Sequence, residues 1–217
     1  MRRREFSFCS AALAALPAVV AAPALAQPKA PEEGIDYVTL DRRVASEAPT
    51  GKIDVIEFFW YSCPHCNAFE PKLEAWIKRL PADVALRRVP VAFRDSFVPQ
   101  QRLFYSLEAM GKLEEMHRKV FLAIHGERQA LDSQERITEW AVKQGLDQTK
   151  FTEIYNSFTV QTKARRGAQL QNDFKVQGVP SMGIGGRFYT DGTIALTMDR
   201  ALQVTDYLID QMRRNKS

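Results

Sequence analysis

The sequence predicts an α/β fold in which a strand–helix–strand unit is parted from a closing hairpin and helix by a long helical insertion. Three observations predict it. A near-continuous apolar run, Ile53 to Trp60, is followed at residues 64–80 by apolar residues at spacings of three and four, then by a second strand-like run, Val84 to Phe93. Residues 98–176 read as helical almost throughout. Strand signals return only at Val179.

The amino terminus bounds the domain. Residues 1–26 have the layout of a cleaved export signal: Arg2, Arg3 and Arg4, an apolar run from Ala11 to Ala22, and an Ala24-Leu25-Ala26 exit. The run is too short to span a bilayer. Arg3-Arg4-Glu5-Phe6 also fits a loose twin-arginine pattern, so the general secretory and twin-arginine routes both stay open. Export in this style points to the periplasm of a bacterium, where disulfides persist. The predicted mature domain is 27–217. Losing three Arg and one Glu lowers the net charge from +4 to +2, and no basic block remains to suit a nucleic acid. Residues 28–34, rich in Pro and charge, read as a mobile lead-in.

Ile53 to Trp60 is apolar on both faces, as a central strand must be. In residues 64–80, Cys66, Phe69, Leu73, Ile77 and Leu80 share one helical face, and Pro71 is expected to kink that helix. A strand, a crossover helix and a second strand make a parallel unit. Three apolar stripes follow: Leu103, Phe104, Leu107 and Met110; Met116, Val120, Phe121 and Ile124, ending at Gly126; and Ile137, Trp140 and Ala141. Residues 184–189 read as a hairpin turned at Gly185-Gly186, and Ala201, Val204, Leu208 and Met212 mark a last helix. With the insertion at about 97–176 set aside, a thioredoxin-like fold remains.

The chemistry lies in Cys63-Pro64-His65-Cys66. Beyond Cys9 in the export signal, these are the only cysteines of the chain. The loop they close is too short to staple a fold, so the pair is there to react. Pro64 suits the first helical position, which makes Cys63 the cap residue, next to free backbone N–H groups and the positive end of the helix dipole. Its thiolate is stabilised there, and Cys63 is expected to be exposed and reactive, with Cys66 shielded on the buried face. A dipole worth about 0.3–1 kcal/mol falls short of a shift of several pKa units at about 1.4 kcal/mol each, so His65 is expected to add to it. Zinc lacks its further ligands, and a c-type haem lacks a His after Cys66. His117 and His125 read as surface or helix-packing residues. Glu57, inside the apolar strand, reads as a proton acceptor or relay for Cys66, or as the partner of Arg88 in a salt bridge. Gly178-Val179-Pro180 opens a strand, where a cis proline is tolerated.

Together Glu57-Phe58-Phe59, Cys63-Pro64-His65-Cys66, Phe69-Glu70 and Gly178-Val179-Pro180 resemble the DsbA family of periplasmic thiol:disulfide oxidases. The resemblance implies an enzyme without a cofactor that donates the Cys63–Cys66 disulfide to newly exported, unfolded polypeptides through a mixed disulfide on Cys63. It implies reoxidation by a membrane quinone reductase of the DsbB type, and a monomer. It also implies that Val179 and cis-Pro180 pair with the substrate backbone, that Glu57 is a buried proton relay, and that Glu70 is a second acidic position near the helix kink. Met182-Gly183 departs from the family's pattern and is expected to alter the loop beside the proline. A reductase or isomerase on the same fold, or a non-catalytic peptide-binding chaperone, are the competing readings.

Overall fold

A computed structural model describes residues 29–215. The export signal read at 1–26, and Cys9 within it, lie outside the described residues.

The unit from Pro31 onward is built on a five-stranded sheet of order β1-β5-β4-β2-β3. Strand β2 (Ile53–Phe59) pairs parallel with β3 (Val84–Pro90) and antiparallel with β4 (Ser181–Ile184), which pairs antiparallel with β5 (Phe188–Asp191). All seven residues of β2 are buried, which is why it reads as a continuous apolar run. Its odd-numbered Ile53 and Val55 pack with Phe69, Leu73 and Trp76 of α1 (Pro64–Ile77) and with α7 (Met198–Arg214); even-numbered Ile56 and Phe58 face Leu170 and Phe174. Each large apolar side chain so covered contributes roughly 1.5–3 kcal/mol. Helix α1 continues through Pro71 to Ile77.

Between β3 and β4 the chain forms α2 (Val98–Ala109), α3 (Leu113–Phe121), a π-helical turn (Leu122–Gly126), α4 (Gln134–Lys143), α5 (Gln148–Tyr155) and α6 (Phe158–Asp173). The predicted stripes are their buried faces. Ser133, Asp147 and Ser157 each cap the next helix by accepting from the backbone N–H three residues on, a bond worth about 1 kcal/mol.

Two expectations need correction, and one strand carries no signal in the sequence. Residues 31–34 do not form a mobile lead-in: the Glu32 N–H donates to Asp36 Oδ2 at 2.9 Å, and Gly34 N–H to Tyr37 O at 2.8 Å. The short strand β1 (Val38–Thr39), which two residues of sequence pattern cannot signal, adds an antiparallel edge to β5. Met182-Gly183 lies inside β4 and not in a loop. A Cβ on Gly183 would sit 2.4 Å from Phe174 Cε1, so the close approach of that ring demands glycine.

Candidate active site

Strand β2 ends at Phe59 and the next four residues turn into α1, with the Cys63 N–H donating to Trp60 O at 3.0 Å. The turn is held from the helical insertion. Gln100 of α2 accepts from the Ser62 N–H at 3.1 Å and donates to Ser62 Oγ at 2.6 Å, while His125 Nε2 donates to Tyr61 O at 2.8 Å. The sequence carries no signal for Gln100, and His125, expected to be a surface or helix-packing residue, instead holds this turn, because a polar side chain in a helix carries no mark of what it meets across the fold.

Cys63 is the N-cap of α1 and Pro64 opens the helix. The Cys66 N–H donates to Cys63 Sγ at 3.4 Å, and Cys63 Sγ lies 3.4 Å from Val179 O as a donor to it. Cys63 and Cys66 are both free thiols. Cys63 is pushed down to about 6, first by a hydrogen bond from the Cys66 thiol, then by the backbone N–H groups of Cys66 and His65, and least by the charge of His65. His65 thus contributes in the expected direction but does not dominate, because it sits on the exposed side of the helix. Cys63 is also less exposed than expected, at 7 %, because the Val179–Pro180 segment lies against it. Burial, then the neighbouring Cys63, pushes the Cys66 thiol well up, as its place on the covered face requires. The pair is therefore split into one sulfur that leaves readily as a thiolate and one that holds its proton.

The Val179–Pro180 peptide bond is cis. Beside it an open groove of about 410 Å³ is lined by His65, Gly178, Val179, Pro180, Leu196 and Met198. Leu196 is 86 % exposed there, an apolar side chain held out at the groove's rim.

Beneath the cysteines lies a buried polar cluster. Glu57 stands opposite Arg88 in the β2–β3 register, and Arg88 Nε donates to Glu57 Oε2 at 3.1 Å. Arg88 Nη2 reaches Glu70 Oε2 at 3.2 Å, and His117 Nε2 donates to Glu70 Oε1 at 3.2 Å. Burial, then the charge of Glu70, raises Glu57 to about 8 against the pull of Arg88, while His117 and Arg88 outweigh burial and hold Glu70 below the ordinary carboxylate value. Arg88 thus does pair with Glu57, and Glu57, when ionised, adds to the field that raises Cys66. His117 is no surface or packing histidine: it is 3 % exposed and hydrogen-bonded on both nitrogens. Among the described residues no group of three or more His, Cys, Asp or Glu is arranged to hold a metal ion.

Comparison with known proteins places the chain among thiol:disulfide interchange proteins of the DsbA type. The thiol:disulfide interchange protein DsbA of Burkholderia cepacia is 39% identical over 193 residues, covering 89% of this chain and 91% of that protein. The chain belongs to the DsbA family. The DsbA of Bordetella parapertussis is 42% identical over 199 residues, covering 91% of this chain and 94% of its own length. The family's DSBA-like thioredoxin domain matches residues 96–203, which include the helical insertion and the cis-proline strand. Among solved structures, Pseudomonas aeruginosa DsbA aligns with a TM-score of 0.80 at 37% identity, covering 84% of this chain and 95% of that one. The oxidoreductase DsbA of Xylella fastidiosa aligns with a TM-score of 0.79 at 27% identity, covering 86% and 100%. The DsbA fold is thus a thioredoxin-like sheet carrying a helical insertion, as the pattern of elements implied.

Proposed function

We propose that this DsbA-family thiol:disulfide oxidoreductase works as a dithiol oxidase, donating the Cys63–Cys66 disulfide to reduced polypeptides. The observation that carries the reading is the split between the two sulfurs. A substrate thiolate attacks Cys63 Sγ, a substrate–Cys63 bond forms, and the Cys63–Cys66 bond breaks. Cys66 departs with the electron pair and, with its raised proton affinity, takes a proton. Glu57, raised to about 8, is the buried acid that in this reading supplies it, supported by the field it exerts on Cys66. The relay role expected of Glu57 is therefore that of donor in this direction and acceptor when the pair is reoxidised. A second substrate thiolate then attacks the substrate sulfur and expels Cys63, which leaves readily as a thiolate at about 6. The substrate loses two electrons and the enzyme gains them.

Val179 and Pro180 pair with the substrate backbone beside Cys63, and the groove rimmed by Leu196 takes its side chains; the bond between Cys63 Sγ and Val179 O supports that placement. His65 adds positive charge from the exposed side and Pro64 fixes the helix start. Export from residues 1–26 to the periplasm, a monomeric state and reoxidation by a membrane quinone reductase of the DsbB type complete the proposal. No helix among the described residues is long and apolar enough to cross a membrane.

The deciding measurement is the equilibrium reduction potential of residues 27–217 against glutathione. A value well above the glutathione couple is expected of a disulfide donor; a value near or below it would refute the proposal in favour of a reductase or isomerase. Cys66→Ser is expected to trap mixed disulfides visible on non-reducing gels, and Cys63→Ser to form none.

A further inference from the structure

The buried cluster sets two carboxyl groups against one guanidinium. Glu57 and Glu70 are both 0 % exposed, and between them stands one guanidinium, that of Arg88. Two bare carboxylates against one cation in a dry site are costly, so the cluster retains a proton on one of them. The hydrogen bonds are unevenly divided. Glu70 has a donor on each oxygen, Arg88 on Oε2 and His117 on Oε1. Glu57 has Arg88 on Oε2, and its Oε1 is buried with no partner.

His117 has no freedom to serve otherwise. Its ring is walled by Phe59, Phe104 and Phe121 at centroid distances of 5.4, 6.1 and 5.3 Å. Because Nε2–H donates to the Glu70 carboxylate, Nδ1 is the acceptor for the Tyr61 hydroxyl at 2.9 Å. The charged groups around it are Glu70 and Glu74 of α1 and Arg88 of β3, with Glu57 of β2 beyond Arg88.

We propose that His117 is a positioning residue: by donating to Glu70 it keeps the cluster's single proton on Glu57. Burial, aided by Arg88, pushes His117 below its ordinary value, which favours the neutral ring as the donor. Without that donor each carboxylate has only its bond from Arg88, and the proton is divided between them. The value of this to catalysis rests on the reading of Glu57 as the donor to Cys66.

The test is the titration of the Glu57 and Glu70 side-chain carboxyl carbons by NMR, in wild type, His117→Phe and His117→Gln. In wild type Glu57 is expected to titrate near about 8. In His117→Phe its midpoint falls by at least about one pH unit, tenfold in the equilibrium constant, and that of Glu70 rises toward it. His117→Gln, whose amide donates to Glu70, restores the wild-type order. An unchanged Glu57 midpoint in folded His117→Phe overturns the proposal. If that variant does not fold, the imidazole 15N shifts of the wild type decide: the Nε2–H tautomer is expected at pH 7, and the Nδ1–H tautomer, which cannot donate to Glu70 from Nε2, overturns the proposal. A midpoint that moves while Cys66 release at pH 7 keeps its rate sustains the role of His117 and refutes Glu57 as the donor.

Discussion

Replacing Glu57 by glutamine removes one titration from a buried site and leaves the shape almost unchanged. In the fold Glu57 ionises near about 8, against an ordinary value of 4.5. A raised acid favours the fold while it is protonated, so its contribution is complete below 4.5 and is lost as the pH rises through about 8. Between pH 5 and 8 the unfolded chain has already released this proton and the folded chain still holds it. Over that interval the wild type loses about 3–4 kcal/mol on account of Glu57 alone. The Glu57→Gln variant loses none of it. Its amide can still accept from Arg88, and the constant cost of burying its extra donors, about 1–3 kcal/mol, does not change with pH. Urea unfolding of the disulfide form at pH 5 and pH 8 is the assay, since oxidation removes the thiol titrations from both proteins. The stability of Glu57→Gln relative to wild type is expected to rise by several kcal/mol from pH 5 to pH 8. Parallel stabilities at the two pH values would mean that Glu57 is ionised throughout, and the proton-donor reading would fall with it.

Three further outcomes are expected. Arg88→Met leaves Glu57 and Glu70 without a counter-charge, which costs roughly 3–5 kcal/mol at pH 8 by urea unfolding and less at pH 5, where the carboxyls take up protons. Alkylation of Cys63 in the reduced enzyme falls off as the pH drops through about 6, and His65→Ala moves that midpoint upward; Cys66 stays unreactive over the same range. Gly183→Ala drives a methyl into the ring of buried Phe174, 2.4 Å away, and costs about 1–3 kcal/mol in urea unfolding with little change in the Cys63 midpoint.

The central strand, the active-site helix and the helices between β3 and β4 were legible because each leaves a local trace. Ile53–Phe59 is apolar on both faces because two layers cover it, and Cys66, Phe69 and Leu73 recur at helical spacing because one face of α1 lies on the sheet. The cap position of Cys63 follows from Pro64 at the next residue, and so does the direction of its thiol shift. The pairing of Glu57 with Arg88 was within reach too, because parallel strands β2 and β3 bring them into register.

What surrounds those residues was decided only by the folded chain. His117 lies 47 residues from Glu70 and 56 from Tyr61, and nothing at its own position distinguishes it from a packing histidine. Gln100 reaches Ser62 across 38 residues, and Val179 reaches Cys63 across 116. A periodic pattern reports which face of an element is covered, because burial acts residue by residue along the chain. Hydrogen bonds and charge pairs inside that cover depend on which elements meet. The sequence alone thus determined a reactive, asymmetric cysteine pair on a thioredoxin-like sheet. The tertiary structure decided that Cys63 is mostly covered, that its neighbouring sulfur and not His65 leads its shift, and that Glu57 and Glu70 are buried around one guanidinium, that of Arg88.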